Sequence, residues 1–230
     1  KFDELKTGET MAGEEVILDE TSLPIGDQKT RQYLEEKQAE KKSPVASLIE
    51  SVIPSVAAAD FKSKEGQETL IRTINNFAKS GVNIKPKQFL TLAEAVAQIE
   101  SGGKGKTAVG ESKKTNKIYY GTYQMGDAAI GDAAVDLGEP VPDHKTFLND
   151  EEMQERFYGA YINKSNKHLM NVSAKYRKMS IKRKLEMLAG AQLGMGNVVK
   201  FINGDKSFKD GNGKGIQYFI DRYIKYRDSK

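Results

Sequence analysis

Apolar residues recur at helical spacing mainly after residue 60 of this 230-residue chain. Segments with an apolar helical stripe or a helix-start signal follow one another at 67–80, 87–100, 149–162, 180–193 and 216–226. Between them, residues 115–125 are β-branched and aromatic around one glycine, which favours a short hairpin or extended segment. The pattern predicts a mainly α domain with one small β element over residues 61–230.

Local signals mark several helix ends. Gly81 follows the first predicted helix, where a left-handed stop is expected. Asn149 and Glu152 have the spacing of a capping box, and Ser180 is a typical N-cap. The turn-rich run 210–215 precedes the last predicted helix. These residues set the expected bounds of the helices.

The first 60 residues follow a different pattern. Residues 1–27 keep neither a helical nor a strand period, and residues 30–42 are charged helix formers with almost no apolar stripe. Residues 44–59 are small and apolar and are interrupted by two prolines. We predict that residues 1–60 form an extended or helical N-terminal arm and linker, which docks on a partner or on the rest of the chain.

The charge divides at the same place. The chain carries a formal net charge of +4, but residues 1–60 contain 7 basic and 13 acidic residues, against 29 and 19 in the remainder. The two parts therefore have net charges of −6 and +10. Only Phe2 and Tyr33 of the 19 Phe and Tyr residues precede residue 61. The second part holds most core-forming residues, and its positive charge suits an anionic partner such as cell wall or nucleic acid.

Several classes of chemistry are excluded or disfavoured. The absence of cysteine excludes disulfides, zinc ribbons, iron–sulfur clusters and thiol catalysis. The only histidines, His144 and His168, are isolated, so we expect no metal site and no cofactor. Residues 210–221 have part of a calcium-loop spacing, but Lys214 occupies a ligand position, so a helix-entry turn is expected. We expect no membrane span, because no apolar run approaches about 20 residues.

Glu100 is the candidate catalytic residue. Phe89, Val96 and Glu100 fall at i, i+7 and i+11 of one predicted helix, so the carboxyl group continues the apolar stripe. Gly102 ends that helix directly afterwards, which places the acid at the negative end of the helix dipole. Burial and the dipole both disfavour the charged form. We therefore predict a raised pKa, as a general acid requires, unless the side chain turns into solvent.

The segment that begins at Glu100 resembles the active-site stretch of the lysozyme-like superfamily, particularly lytic transglycosylases and phage muramidases. Those enzymes have Glu-Ser at a helix end, then a polar residue, then a Gly-x-x-Gln-hydrophobic segment. The corresponding residues here are Glu100, Ser101, Ser112, Gly121, Tyr123, Gln124 and Met125. Three short motifs in order are more specific than any one of them.

The third motif lies in residues 190–204, which are similar to the superfamily's Ala-Tyr-Asn-Ala-Gly-x-Gly-x-Val sequence. Gly194, Gly196, Asn197 and Val198 are in register. The family Tyr and Asn fall on Ala191 and Gln192, where the amide of Gln192 could replace that of Asn. The resemblance covers roughly residues 65–228.

This resemblance implies an α+β lysozyme-like fold with a small β-hairpin beside an active-site cleft. It implies a glycosidase that cleaves the MurNAc-β-1,4-GlcNAc bond of bacterial peptidoglycan, with Glu100 as the acid. Glu111 and Asp127 are the candidates for a second carboxylate. If neither takes part, the N-acetyl group of the substrate assists and the product is a 1,6-anhydro sugar. Hydrolysis and transglycosylation both remain open.

The resemblance also implies a set of substrate-binding residues. They are Ser101, Ser112, Tyr120, Gly121, Tyr123, Gln124, Met125, Gln192 and Gly194. Ser112 would bond the N-acetyl group or Glu100, and Gln124 would orient the sugar. Tyr123 either lines the cleft or belongs to the core. Tyr119 and Tyr120 are candidates for stacking on sugar faces, although alternation along a strand exposes only one of them.

Phage virion-associated lytic proteins fit these features best. The chain starts with neither an initiator Met nor a leader, which suggests a processed product. The expected location is the virion, acting at the cell wall in the periplasm, with other virion or envelope proteins bound through residues 1–60. The alternatives are a bacterial cell-envelope enzyme, a structural virion protein with an inactive lysozyme-like fold, and a basic nucleic-acid-binding protein. The last is suggested only by basic runs at 175–178 and 182–184, without a recognition motif.

Overall fold

The computed structural model describes residues 63–102, 104–112 and 116–230. The predicted arm over 1–60, including the helix expected at 30–42, lies outside these residues. The described helices are α1 (Lys64–Lys79), α2 (Pro86–Ser101), α3 (Asp127–Leu137), α4 (His144–Asn149), α5 (Glu151–Val172), α6 (Ala174–Arg177), α7 (Ile181–Ala189), α8 (Met195–Ile202) and α9 (Ile216–Asp228). The protein is mainly helical there, as the sequence pattern predicts.

Three short strands form the β element. They are β1 (Val109–Glu111), β2 (Ile118–Tyr120) and β3 (Met125–Gly126), in the antiparallel order β1-β2-β3. Val109 pairs with Tyr120, and Tyr120 pairs in turn with Met125. The predicted small hairpin is therefore confirmed, with a third strand added by the residues that precede α3.

The core is built around α5. This helix packs against α1 on one side and α3 on the other, while α2 packs against α9. Its buried positions include Phe157, Tyr158, Ile162 and Leu169, which join one apolar cluster with the buried face of α2. Along the chain, the small sheet follows the end of α2, where Glu100 is found.

Most predicted helix ends agree with the structure. Gly81 has a φ of 78° just after α1, and the Ser180 side chain accepts a hydrogen bond from the Arg183 amide at the start of α7. The prediction for α5 was wrong at both ends, because the cap is shifted by one residue and the helix continues to Val172, beyond the predicted end at Ile162. Asp150, rather than Asn149, caps this helix by accepting from the Met153 amide at 2.8 Å.

The sequence analysis missed four helices of the described ranges, of which α3 and α8 are the longest. The first is α3, whose sequence DAAIGDAAVDL has only Ile130, Ala133 and Ala134 buried, so its apolar stripe is weak. The second is α8, which begins after Gly194 in what the motif alone presents as a glycine-rich loop. Within the described ranges, no helix combines the length and apolar character needed to cross a bilayer.

Candidate active site

Glu100 lies in the last turn of α2. Phe89 and Val96, which precede it on the same stripe, are completely buried, and Glu100 itself is half-buried at the end of that stripe. Gly102 follows with a φ of 60°, a left-handed conformation that ends the helix. The structure thus confirms that the carboxyl group continues the apolar face.

The surroundings of Glu100 favour its neutral form. Burial raises the pKa of Glu100 from its ordinary value of 4.5 to about 7. The positive charge of Lys214 lowers this pKa, and the negative charge of Asp210 raises it. The direction predicted from the sequence is confirmed, and desolvation is its largest cause.

Two tyrosines of α5 lie beside this acid. Burial raises the pKa of Tyr158 well above its usual range and that of Tyr161 to about 12, and the charge of Glu100 adds to both shifts. The Tyr161 hydroxyl donates to the Ala191 carbonyl at 2.7 Å. Glu100 therefore faces a wall of buried aromatic rings with polar ends, which sequence reasoning did not identify.

A cleft of about 640 Å³ opens next to this wall. Its lining combines residues of the second and third motifs with the sheet and with Tyr161. Glu100 is not part of this lining, and its relation to the cleft is the effect of its charge on Tyr161. The predicted site residues that line it are Tyr120, Gln124, Met125, Asp127, Gln192 and Gly194. Segments separated by more than 60 residues in the chain thus contribute to one concave surface, as a binding site requires.

Gln124 holds the motif loop together. Its Nε2 donates to the carbonyls of Gly121, at 2.8 Å, and Ala108, at 3.2 Å. Gln124 has a φ of 48°, which is uncommon for a residue other than glycine. Gly121 has a φ of 76°, and a Cβ atom there would collide with the side chain of Gln154. The backbone path of this loop therefore favours glycine at position 121, and the side chain of Gln124 bonds to that path.

Gln154 supports the same loop from α5. It is completely buried, and its Nε2 donates to the carbonyls of Phe147, at 2.8 Å, and Lys106, at 3.0 Å. Its Oε1 accepts from the Thr122 amide at 2.8 Å. Sequence reasoning missed this residue because its partners lie up to 48 positions away.

Tyr123 belongs to the core. Its ring is buried and stacks on Tyr158, with centroids 4.0 Å apart and planes within 5°. The neighbouring tyrosines show the alternation expected on a strand, because Tyr119 is half-buried and Tyr120 is buried. Both line the cleft. Of the two outcomes predicted for Tyr123, the structure supports the core position.

Ser101 and Ser112 do not line the cleft. The Ser101 hydroxyl is directed back into α2 and donates to the Ala97 carbonyl at 2.8 Å. Ser112 closes the β1–β2 turn, because its amide donates to the Lys117 carbonyl at 2.9 Å. Both serines therefore bond to backbone carbonyls of their own segments, and their predicted contacts with substrate remain predictions.

The third motif also contributes to the cleft lining. Gly194 has a φ of 92° and starts α8, and the Asn197 side chain donates to the Leu193 carbonyl at 2.6 Å. Gln192 places its amide next to the buried Tyr158 hydroxyl, whose pKa this amide lowers. Gln192 is thus near both the cleft and the tyrosines that face Glu100.

The candidate second carboxylates are not the acids that act on Glu100. Glu111 is exposed at the end of β1, and Asp127 is bonded to His144. Among the described residues, the carboxylate whose charge raises the pKa of Glu100 is Asp210. Its Oδ1 accepts from the amides of Lys214, at 2.7 Å, and Asn212, at 2.8 Å. This confirms the predicted turn before α9 and shows that it carries charge close to Glu100.

A metal site has no support in the described part of the chain, where no group of three or more His, Asp or Glu side chains is arranged to hold an ion.

Comparisons with profiles of protein families, with curated proteins and with solved structures find no match. The chemistry of the site must therefore be argued from its own residues.

Proposed function

We propose that residues 61–230 form a lysozyme-like domain that cleaves the MurNAc-β-1,4-GlcNAc bond of bacterial peptidoglycan. The observation that carries this proposal is the state of Glu100. It is half-buried at the end of α2, burial raises its pKa to about 7, and its charge acts on Tyr161, a residue of the cleft lining. An acid of this kind holds a proton near neutral pH and can deliver it to the oxygen of a leaving sugar.

The surroundings of Glu100 suit glycoside cleavage. Such a reaction needs a proton for the leaving oxygen and stabilisation of positive charge at the anomeric carbon. Glu100 supplies the proton, and once ionised it is a negative group beside the reacting carbon. Tyr158 and Tyr161 are buried, and the charge of Glu100 adds to the raised pKa of both hydroxyls, so all three groups favour their protonated forms.

The second step has two routes. In a muramidase a second carboxylate activates water or attacks the sugar, whereas in a lytic transglycosylase Glu100 acts first as acid and then as base. Asp210 joins Glu111 and Asp127 as a candidate for the second carboxylate, because its charge acts on Glu100. In the transglycosylase route the N-acetyl group of the substrate assists and an anhydro product forms.

The charge of the domain supports an anionic polymer as substrate. Residues 61–230 carry a net charge of +10, and peptidoglycan presents peptide carboxylates. In this proposal the protein is virion-associated and acts locally at the cell wall, with the acidic residues 1–60 bound to other virion or envelope proteins. The bacterial cell envelope is the alternative location.

The test compares the wild-type protein with the Glu100→Gln variant on purified peptidoglycan. Glutamine keeps the shape of the side chain and cannot donate a proton to the leaving oxygen, so release of soluble muropeptides should fall by at least about 100-fold. Glu68→Gln is the matched control, because it removes an exposed carboxyl group from α1 and should leave release unchanged.

Mass spectrometry of the released fragments distinguishes the routes. Reducing ends indicate a muramidase, and 1,6-anhydro ends indicate a lytic transglycosylase. Intact glycan chains with the wild-type protein, or equal release by wild type and Glu100→Gln, contradict the proposed activity and leave the structural or nucleic-acid-binding alternatives.

A further inference from the structure

Three side chains form a connected group at the cleft. The imidazole of His144 stacks on the ring of Tyr120, with centroids 4.0 Å apart and planes within 18°. Nε2 of His144 donates to Oδ1 of Asp127 at 2.8 Å. Tyr120 and Asp127 both line the cleft, so the exposed His144 contacts two cleft residues without lining the cleft itself.

Two members of this group, Asp127 and His144, are each the first residue of a helix. Asp127 is the first residue of α3 and follows β3 directly, so its backbone is fixed by the sheet. His144 is the first residue of α4, whose N-cap is Asp143. The Asp143 carboxylate accepts from the amide of Thr146, at 3.0 Å, and from its hydroxyl, at 2.7 Å. The imidazole is therefore oriented by a well-capped turn and by the ring of Tyr120.

Asp127 differs from the other acids near the site. Burial raises the pKa of Tyr120 and the charge of Asp127 adds to this shift, whereas among the described residues the charges that shift the pKa of Glu100 belong to Lys214 and Asp210. Asp127 is thus coupled to the cleft wall more closely than to the proton donor. This arrangement suits contact with substrate better than it suits activation of water beside Glu100.

The chemistry of Oδ2 of Asp127 indicates which groups of a ligand can bind to it. Asp127 is the only carboxylate in the described lining of the cleft, and the described residues give its Oδ2 no partner. An ionised carboxylate only accepts hydrogen bonds, so its ligand must present O–H or N–H groups. Beside it, the half-buried Tyr119 offers an apolar surface. Sugars with an acetamido group have both features, namely donor groups around the ring and apolar C–H faces.

We propose that His144 is a positioning residue that orients Asp127 so that its free oxygen binds an N–H or O–H group of an N-acetylated amino sugar. This inference rests on the proposed function and names the sugar contact of the same cleft. Asp127 is then a substrate-binding residue, and it is not the second catalytic carboxylate.

The first test measures binding of an N-acetylglucosamine tetramer to the full chain carrying Glu100→Gln, so that no cleavage takes place. Asp127→Asn and His144→Phe should each weaken binding about tenfold or more, because each removes a charged hydrogen bond or its orientation. Phenylalanine retains the stack on Tyr120. Asp136→Asn, an exposed acid on the same helix α3, is the matched control and should leave binding unchanged.

The double variant separates positioning from a general structural effect. If His144 acts through Asp127, then His144→Phe causes no further loss of binding when Asp127→Asn is already present. An equal further loss would overturn the proposal, and so would the absence of tetramer binding in the protein with only Glu100→Gln. Midpoints of urea unfolding for all variants identify any that are merely less stable.

Kinetics on a soluble glycan fragment of peptidoglycan give the second test. Asp127→Asn should raise KM at least about tenfold and change kcat by less than about threefold. A large loss of kcat with an unchanged KM would make Asp127 a catalytic carboxylate and overturn the inference.

If the protein binds the tetramer but cleaves no peptidoglycan, the proposed function fails and the sugar contact stands. If the protein cleaves peptidoglycan but substitution of Asp127 and His144 leaves tetramer binding unchanged, the proposed function stands and the sugar contact fails.

Discussion

Tyr123 and Tyr158 stack face to face, with ring centroids 4.0 Å apart and planes within 5°. This contact joins the loop between β2 and β3 to the buried face of α5. Because Tyr158 also faces Glu100 and Gln192, the stack connects three motif segments through one pair of rings. Tyr123 therefore supports the site from the core and does not contact the cleft.

The first prediction concerns this pair. Tyr123→Ala should lower the free energy of unfolding by about 3 to 5 kcal/mol, because it removes a buried aromatic ring and leaves a cavity against Tyr158. Urea denaturation followed by circular dichroism measures the change. Phe208→Ala is the control, since that ring is partly exposed, and its loss should be less than half as large. Similar losses for both variants would show that the stack contributes little.

The second prediction concerns stability and pH. A carboxyl group with a folded-state pKa of about 7 and an ordinary value of 4.5 binds more protons in the folded than in the unfolded protein between these values. Its contribution to stability is complete below about pH 4.5 and is lost as the pH rises through about 7. Glu100→Gln should remove this loss, and the variant should be more stable than wild type at pH 8 by at most about 3 kcal/mol.

Unfolding curves at pH 4 and pH 8 measure this difference without any enzyme assay. At pH 4 the two proteins should agree within about 0.5 kcal/mol, since both side chains are neutral there. Glu68→Gln, which changes an exposed carboxyl group, is the control. The difference between its free energy of unfolding and that of wild type should be the same at pH 4 and pH 8. A Glu100→Gln variant that is less stable than wild type at pH 8 would contradict a desolvated Glu100.

The third prediction uses two charges of opposite sign. Lys214→Gln removes a positive charge that lowers the pKa of Glu100, so the alkaline limb of the activity profile should move to higher pH. Asp210→Asn removes a negative charge that raises this pKa, so the limb should move to lower pH. Asparagine retains the Oδ1 acceptor for the amides of the turn, which keeps the loop in place. The measurement is the rate of muropeptide release between pH 4 and pH 9.

Movement of both limbs in the same direction would show that the two substitutions act by distorting the loop. If Asp210 is itself the second carboxylate, Asp210→Asn abolishes activity at every pH, and the limb cannot be measured. Lys214→Gln then remains as the test of electrostatic control over Glu100.

The fourth prediction concerns Gln154. Gln154→Leu keeps a similar volume but leaves the Thr122 amide and the carbonyls of Lys106 and Phe147 without their partner. Each unsatisfied buried group costs about 1 to 3 kcal/mol, so the total loss of stability should exceed about 3 kcal/mol. Gln98→Leu on the exposed face of α2 is the control and should stay within about 0.5 kcal/mol of wild type. Urea midpoints measure both.

Local pattern predicted the helices that have a strong apolar stripe, and it predicted the direction of the pKa of Glu100. It succeeded there because stripe, cap and dipole are properties of a few neighbouring residues. It missed α3, whose alanines and Gly131 carry little periodic signal, and it assigned the cap of α5 to Asn149 when Asp150 has the bonding geometry. Neighbouring polar residues compete for a cap, and only the folded backbone decides between them.

The site was predictable only where a motif lies within one segment. Gln124 and Gln192 were identified in this way and do line the cleft. The roles of Gln154 and His144 depend on partners that lie up to 48 positions away, so no local spacing indicates them. Asp210 and Lys214 were considered for a calcium loop, and their effect on Glu100 arises only because the turn before α9 folds back towards the end of α2.

The three bonds of Gln154 have a consequence for how this cleft opens and closes. One side chain secures the turn after α2, the end of α4 and the loop before β3, so these segments cannot separate from α5 one at a time without leaving its buried amide unsatisfied. We therefore expect the wall that carries Tyr120 and Gln124 to open as a single cooperative unit. Amide protons of these three segments that exchange only through this opening should then report one common free energy of opening.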